Sequence, residues 1–373
     1  MVAISNADDV INADLIYMLD NLSEELENLN NQNLLITGGA GFLGYYLIKL
    51  ILFRNVKYPK LKINLTVMDN FIRGTPKWIS ELANNNLFKL IEHDITSPFP
   101  SNVDNFNYII HAASIASPTF YRLFPIETMD SNVIGLRNLL NYSASVSQNP
   151  KKQIKGFLFF STSEIYVDPD IHNIPTTENY RGNVSCTGPR ACYDESKRYG
   201  ETLCVNFANK YNLPIKIARP FNNYGPGLKI TDKRVIPDFA KNIFLKENIE
   251  MLSNGNPSRT FCYITDAIIG YYKILVKGNL GEAYNIGIEN PEITMTQLAE
   301  KITKISSDLF SYKGKIIYKD SSDKDYLIDN PNRRCPDIKK AKKDLNYNPQ
   351  ISLDEGLKRI LLWYRENLIL EDS

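Results

Sequence analysis

The sequence predicts an α/β protein, a doubly wound parallel sheet with a smaller C-terminal substrate domain. Two patterns and one turn predict it. Short apolar runs alternate with helix-like stretches, the order of βαβ units. Those runs are continuously apolar rather than alternating, as strands covered on both faces must be. A glycine-rich turn, Gly38-Gly39-Ala40-Gly41, joins the first run to the first long helix.

Residues 1–31 are acidic and Asn-rich, and Leu15, Ile16, Leu19, Leu22, Leu26 and Leu29 recur there at spacings of three or four. That periodicity predicts an N-terminal helical extension packed on its own domain by one apolar stripe. Strands are expected at residues 34–37, 63–68, 88–91, 108–111, 156–161 and 215–218, with helices between them at 42–53, 132–147 and 195–210. Residues 32–220 thus form the nucleotide-binding domain. After Arg219-Pro220, prolines and glycines thicken and elements shorten, with helices at 266–276, 296–305 and 353–366. Residues 221–373 form the smaller domain, from which the chain can cross back into the first. The polar stretch 318–336 reads as a linker.

Charge and cysteine usage narrow the function. Lys and Arg number 43 against 42 Asp and Glu, a net charge of +1. A nucleic-acid or membrane-surface binder would carry a basic excess, so neither partner is expected. The 5 cysteines form no CxxC pair and the 3 histidines are scattered, so no disulfide framework and no metal site are expected. No apolar run reaches ~18 residues and no signal pattern opens the chain. A cytoplasmic protein of a reducing compartment is expected.

Glycines 38, 41 and 44 follow a strand and open a helix, with Phe42 and Leu43 carrying the backbone into it. This Rossmann-type turn lets backbone approach a pyrophosphate and lets the helix pack closely on the strand. The helix N-terminus adds amide donors and a positive dipole. Asp69 ends the next strand, where a carboxylate accepts hydrogen bonds from the adenosine ribose and repels a 2′-phosphate. NAD is therefore the expected cofactor, with Asn70 beside the ribose and Arg73 the residue that would serve NADP instead. Asp94 and Ile95 follow the third strand, at the expected adenine edge. Ala112 and Ser114 follow the fourth and are small enough to admit the cofactor, while His111 reads as a core histidine.

Tyr193 and Lys197 stand at i and i+4, one helical turn apart on one face. An ammonium beside a phenol lowers the Tyr pKa, so the Tyr can take a hydroxyl proton while hydride leaves the same carbon. The YxxxK spacing alone is common. It gains meaning from Ser161-Thr162-Ser163-Glu164 at the end of the preceding strand, where a hydroxyl can share the substrate proton.

ITGGAGFLG, Asp69, HAAS, STSE, YDESK and RPFNNYGP occur in this order over roughly residues 33–365. Together they resemble the extended short-chain dehydrogenase/reductase family. Within it, HAASIASPTFYRLFPIETMDSNVIGLRNLL, GPRACYDESKR, DKRVIPDF, SRTFCYITD and RRCPDIKKA most resemble the UDP-glucuronate decarboxylases. The resemblance implies Tyr193 as base with Lys197 as partner, and Thr162 on the reacting hydroxyl. It places Ser163, Glu164 and Arg259 at a hexuronate carboxylate and its proton transfers. Asn222, Arg234 and Arg334 would hold the nucleotide diphosphate, a task that suits bidentate guanidiniums. It also implies NAD, a nucleotide-diphosphate sugar substrate, and a homodimer with a four-helix interface built from 132–147 and 195–210.

Hydride removal at C4 is common to several reactions, and the next step separates them. A 4,6-dehydratase uses adjacent Asp and Glu, whereas this chain has Ser163-Glu164. A 4-keto hexuronate is a β-keto acid that loses CO2 with no leaving-group acid. Decarboxylation is expected ahead of dehydration, then 4-epimerisation or keto-sugar reduction. A non-catalytic nucleotide-binding regulator would have lost Tyr193 or Lys197, and both are present. Two departures stand out. Val167 follows STSEIY where the family has Gly, and Gly225-Pro226-Gly227 lacks the arginine of the family's GPR-type stretch.

Overall fold

Seven strands pair in parallel into one sheet in a computed structural model that describes residues 4–84, 87–319, 328 and 330–368. Across the sheet they run Ala283–Ile286, Ile215–Pro220, Gly156–Phe160, Tyr108–His111, Asn33–Thr37, Asn64–Asp69 and Lys89–Glu92. Chain order reverses between Asn33–Thr37 and Tyr108–His111, which pair from Leu34 with Tyr108 to Thr37 with His111. The loops leaving these two strands diverge to opposite faces, so a crevice opens at their carboxyl ends.

The inner strands have continuous apolar runs because each is covered on both faces, whereas the edge strand Lys89–Glu92 has no fully buried residue. Leu34, Ile36, Ile110 and Leu158 pack under the helices Phe42–Lys57 and Ile264–Lys277. Leu35, Ile109, Phe157 and Phe159 face the other way, under Leu136–Val146 and Ala191–Tyr211. Two strands start one residue later than expected, at Asn64 and Lys89, and this registers Asp69 beside Glu92 at the sheet's carboxyl edge. The helix expected over 132–147 is a π-helical turn, Ser131–Gly135, leading into Leu136–Val146. Asn132 Nδ2 donates to Ser196 Oγ at 2.9 Å, tying this turn to the helix that carries Tyr193.

The N-terminal segment forms two helices, Ala7–Asn21 and Ser23–Asn28, rather than one. Leu15, Leu19, Leu22, Leu26 and Leu29 join the core, but Ile16 faces solvent. Polar ties lock the segment down. Asp14 is fully buried and accepts from Tyr263 Oη at 2.7 Å, from Arg359 Nη1 at 2.6 Å and from Tyr46 Oη. Buried Glu25 accepts from Lys273 Nζ at 3.2 Å and Lys277 Nζ at 2.9 Å.

Beyond Pro220, short strands build the far wall of the crevice. Ser258–Arg259 lies between Ile293–Thr294 and Arg333–Arg334, and Ile249–Met251 pairs with Ile316–Tyr318. Ala283–Ile286 then returns to the central sheet beside Ile215–Pro220. Of the stretch expected to be a linker, residues 320–327 and 329 lie outside the described residues, and Asn330–Pro336 runs into the site. No helix among the described residues is long and apolar enough to cross a membrane.

Candidate active site

The crevice is one cavity of about 1820 Å³. At its cofactor end Gly38 has φ +70°, and a Cβ there would lie 2.5 Å from the Ala113 backbone. Glycine therefore permits both the turn and the close approach of residues 112–113. The helix Phe42–Lys57 starts at Gly41 with no side chain capping it. Its first N–H groups, at Phe42 and Leu43 on the cavity wall, are left for a phosphate. Ser114 Oγ is buried on the same wall with no partner among the described residues. A glycine cradle, uncapped amides and an unmet hydroxyl fit a dinucleotide.

Asp69 is pinned beneath the turn: Oδ2 accepts from Ala40 N at 2.9 Å and Oδ1 from Phe71 N at 2.8 Å. Asn70 Nδ2 donates to Asp94 Oδ2 at 3.0 Å, so these residues and Ile95 form one rim. Arg73 does not stand over that rim alone. Its guanidinium lies 3.2 Å from the centroid of the Phe120 ring, and its carbonyl accepts from Lys229 Nζ at 2.8 Å.

Thr162, Ser163 and Glu164 follow the strand Gly156–Phe160 in a short 3-10 turn, Ser163–Tyr166. Thr162 Oγ1 caps it by accepting from Glu164 N at 3.1 Å, and Thr162 also hydrogen-bonds the Tyr193 hydroxyl. Tyr193 sits in the first turn of Ala191–Tyr211, with Tyr121 stacked on it at 4.9 Å between centroids and 5° between planes. Lys197 Nζ donates to Phe160 O at 2.8 Å and stands 5.8 Å from the Tyr193 ring centroid.

The sequence led us to expect Lys197 to hold the Tyr193 pKa down. Here burial dominates instead, pushing the phenol above its ordinary value against the Thr162 hydrogen bond. Burial also pulls the Lys197 ammonium down to about 7. The reason is geometric: the ammonium is directed at the Phe160 carbonyl and not at the phenol oxygen. His111 is a core residue, with Nδ1 2.8 Å from Thr37 Oγ1 and its pKa lowered by burial and by Lys197 to about 3, so it is neutral.

The substrate-side residues regroup. Arg334 was expected with Arg234 on a diphosphate, yet it grips Glu164 with both Nη atoms, Nη2 at 2.7 Å from Oε2. Arg190, which the sequence reading missed, donates Nη2 to Glu164 Oε2 at 2.5 Å. It stands three residues before Tyr193 in GPRACYDESKR, and that i, i+3 spacing onto the Tyr193 face was its available signal. Tyr121 was missed too, and no local pattern marks it.

Arg259 spends its donors on carbonyl-type acceptors: Ser258 O at 2.7 Å, Asn330 Oδ1 at 3.3 Å and Pro331 O. Burial, then Arg334 beside it, lower its pKa to about 9. Arg234 remains apart, paired with Asp232 and 5.4 Å from the Phe42 ring centroid beside the dinucleotide turn. Asn222 Nδ2 donates to Thr260 O at 2.8 Å on the cavity wall. Val167 has φ 55° and ψ −116°, so the turn keeps a left-handed backbone with a β-branched residue in it.

A tyrosine and lysine one helical turn apart, facing a crevice that ends in a dinucleotide turn, define an extended short-chain dehydrogenase/reductase. The chain belongs to the NAD dependent epimerase/dehydratase family, whose sequence profile matches residues 34–287. It is 37% identical over 328 residues to UDP-glucuronic acid decarboxylase 3 of Arabidopsis thaliana, covering 88% of this chain and 87% of that protein. It is 34% identical over 344 residues to UDP-glucuronic acid decarboxylase 1 of Xenopus tropicalis, covering 92% and 74%. Its fold matches a UDP-glucuronic acid 4-epimerase from Bacillus cereus, solved with UDP-glucuronic acid and NAD, at a TM-score of 0.70 and 24% identity over 90% of this chain and 99% of that one.

Proposed function

We propose that this enzyme decarboxylates UDP-glucuronate to UDP-xylose through a 4-keto intermediate. The observation that carries the reading is the cluster around Glu164. Two buried guanidiniums, Arg190 and Arg334, grip that carboxylate, and a third, Arg259, lies beside Arg334. Such a cluster gains from a second anion, and a hexuronate carboxylate is one. The absence of an Asp beside Glu164 argues against dehydration.

Held at the Gly38–Gly41 turn with Asp69 at its ribose, NAD would supply the acceptor and donor of hydride for sugar C4. Tyr193 takes the C4 hydroxyl proton, with Thr162 hydrogen-bonding the same oxygen and Lys197 as its partner one helical turn away. Carboxylate loss from the resulting β-keto acid leaves an enolate, which Tyr193 and Thr162 stabilise at the C4 oxygen. Glu164 and Arg259, with Ser163 beside them, serve the departing carboxylate and the proton delivered to C5. Asp69 selects NAD by repelling a 2′-phosphate. Arg234 and Asn222 are assigned to the diphosphate, while Arg334 is reassigned to the carboxylate.

We further infer a homodimer. Leu123, Ile126, Met129, Ile134 and Tyr199 are exposed apolar side chains on four packed elements, Pro118–Leu123, Pro125–Asp130, Ser131–Gly135 and Ala191–Tyr211. Exposed apolar side chains gathered on neighbouring packed elements favour an association surface, and sedimentation of the purified protein reads it. The cysteines are all free, in keeping with a cytoplasmic setting.

Mass spectrometry of products from carboxyl-labelled UDP-glucuronate tests the reaction. Labelled CO2 and a pentose nucleotide should form with no net NADH, and Tyr193→Phe should lose roughly 10²–10⁴-fold in turnover while still binding NAD. A 4-keto-6-deoxy product from UDP-glucose, without labelled CO2, overturns it.

A further inference from the structure

The residue after Val167 ties the Glu164 turn to a strand from the far end of the chain. Asp168 Oδ1 accepts the Asn332 backbone N–H at 2.8 Å, and Oδ2 accepts Asn332 Nδ2 at 2.8 Å. The Asn332 carbonyl in turn accepts Ser258 N at 2.9 Å. Immediately beyond it Arg333–Arg334 pairs in parallel with Ser258–Arg259, setting Arg334 beside Arg259. Arg259 donates back to Asn330 Oδ1 and Pro331 O. Residues 330–334 therefore present Arg334 to Glu164 and buttress Arg259 at once.

Neither Asp168 nor Asn332 lines the cavity. What they govern is aim. A guanidinium–carboxylate fork needs both groups close to one plane, and Arg334 is only two residues from Asn332. The Val167 turn, closed by Val167 N donating to Glu164 O at 3.0 Å, makes Glu164 and Asp168 grip the same segment four residues apart. A second tie holds that thread further along, where Thr176 N donates to Cys335 O at 2.8 Å and Asp337 N to Thr176 O at 2.9 Å. Loss of Asp168 therefore loosens the aim and leaves the fold.

We propose that Asp168 is a positioning residue that fixes residues 330–334, so that Arg334 and Arg259 meet the uronate carboxylate in productive geometry. This rests on the hexuronate reading above.

Hydrogen exchange, thermal melting and kinetics of the full chain bearing Asp168→Ala, Asp168→Asn or Asn332→Ala test it. In Asp168→Ala the amides of residues 332–334 should exchange faster while melting stays near that of the parent. Its kcat/KM for UDP-glucuronate should fall by up to about 10²-fold, while affinity for UDP, which lacks the carboxylate, holds. Asp168→Asn keeps an acceptor for the Asn332 N–H and should recover part of the loss. Asn332→Ala, which removes one of the two bonds from the other side, should show a smaller loss of the same kind. Unchanged exchange at 332–334, parental kcat/KM in Asp168→Ala, or equal losses for UDP and UDP-glucuronate overturn the proposal. Failure of the unmutated enzyme to turn over UDP-glucuronate overturns the hexuronate reading instead, and exchange still decides whether Asp168 holds the segment.

Discussion

Arg190 Nη2 lies 2.5 Å from Glu164 Oε2, an ion pair between side chains only 10% and 17% exposed. Burial alone would raise the Glu164 carboxyl, but Arg190, Arg334 and the more distant Arg259 overcome it and hold it down to about 2. A carboxyl whose folded pKa lies below its ordinary 4.5 stabilises the fold fully above that pH and loses the contribution as pH falls toward 2. Glu164→Gln should therefore cost roughly 3–5 kcal/mol at neutral pH and distinctly less at about pH 3. Urea unfolding at the two pH values checks this, and a pH-independent difference defeats the ion-pair account.

Val167→Gly should stabilise the protein. The left-handed backbone at φ 55° costs a residue with a Cβ roughly 1–2 kcal/mol, and glycine's greater unfolded freedom returns about 0.5–1 of it. A net gain of about 1 kcal/mol is expected for Gly, and little for Val167→Ala, which keeps its Cβ. Chemical denaturation of both variants decides it, since equal stabilities would show that the backbone is not strained there.

Lys197 carries the opposite sign to Glu164. Burial pulls its ammonium from 10.5 down to about 7, so the unfolded chain holds that proton more tightly than the fold does. The penalty on folding is complete below about pH 7 and fades as pH rises toward 10.5. Lys197→Met should thus be inactive, and its stability relative to the parent should decline by roughly 1 kcal/mol per pH unit across that window. Thermal melts of both proteins from neutral to alkaline pH measure the slope. A flat difference would mean the ammonium is well solvated.

Asp14 anchors the N-terminal helices through Tyr46, Tyr263 and Arg359. Asp14→Ala leaves two phenols without their acceptor in the core and Arg359 with Glu355 alone, with an expected loss of roughly 3–5 kcal/mol. Limited proteolysis should then release residues 1–31 from the variant well before the parent. Equal cleavage of both would show that the leucine stripe alone holds the segment.

The sequence by itself determined what depends on neighbours in the chain. Continuous apolar runs specify strands covered on both faces, so six of the sheet's seven strands were legible, while Ala283–Ile286, which returns from the second domain, was not. Glycines at 38, 41 and 44, Asp69 at a strand end, and Tyr193 with Lys197 at i, i+4 are equally local, and each lines the cavity apart from Gly44, which seats the helix on the turn. Val167 was legible as an anomaly but not as a conformation. Only the tertiary structure decided who faces whom. Arg334 meets Glu164 across 170 residues, Arg190 meets it across 26, and Tyr121 covers Tyr193 from another helix. The split of the N-terminal stripe into two helices, with Ile16 outside, belongs here too. The physical reason is register. Periodicity says which face of an element is buried, but which charged side chains coincide depends on how separate layers slide and seat against one another, and no spacing within one element records that.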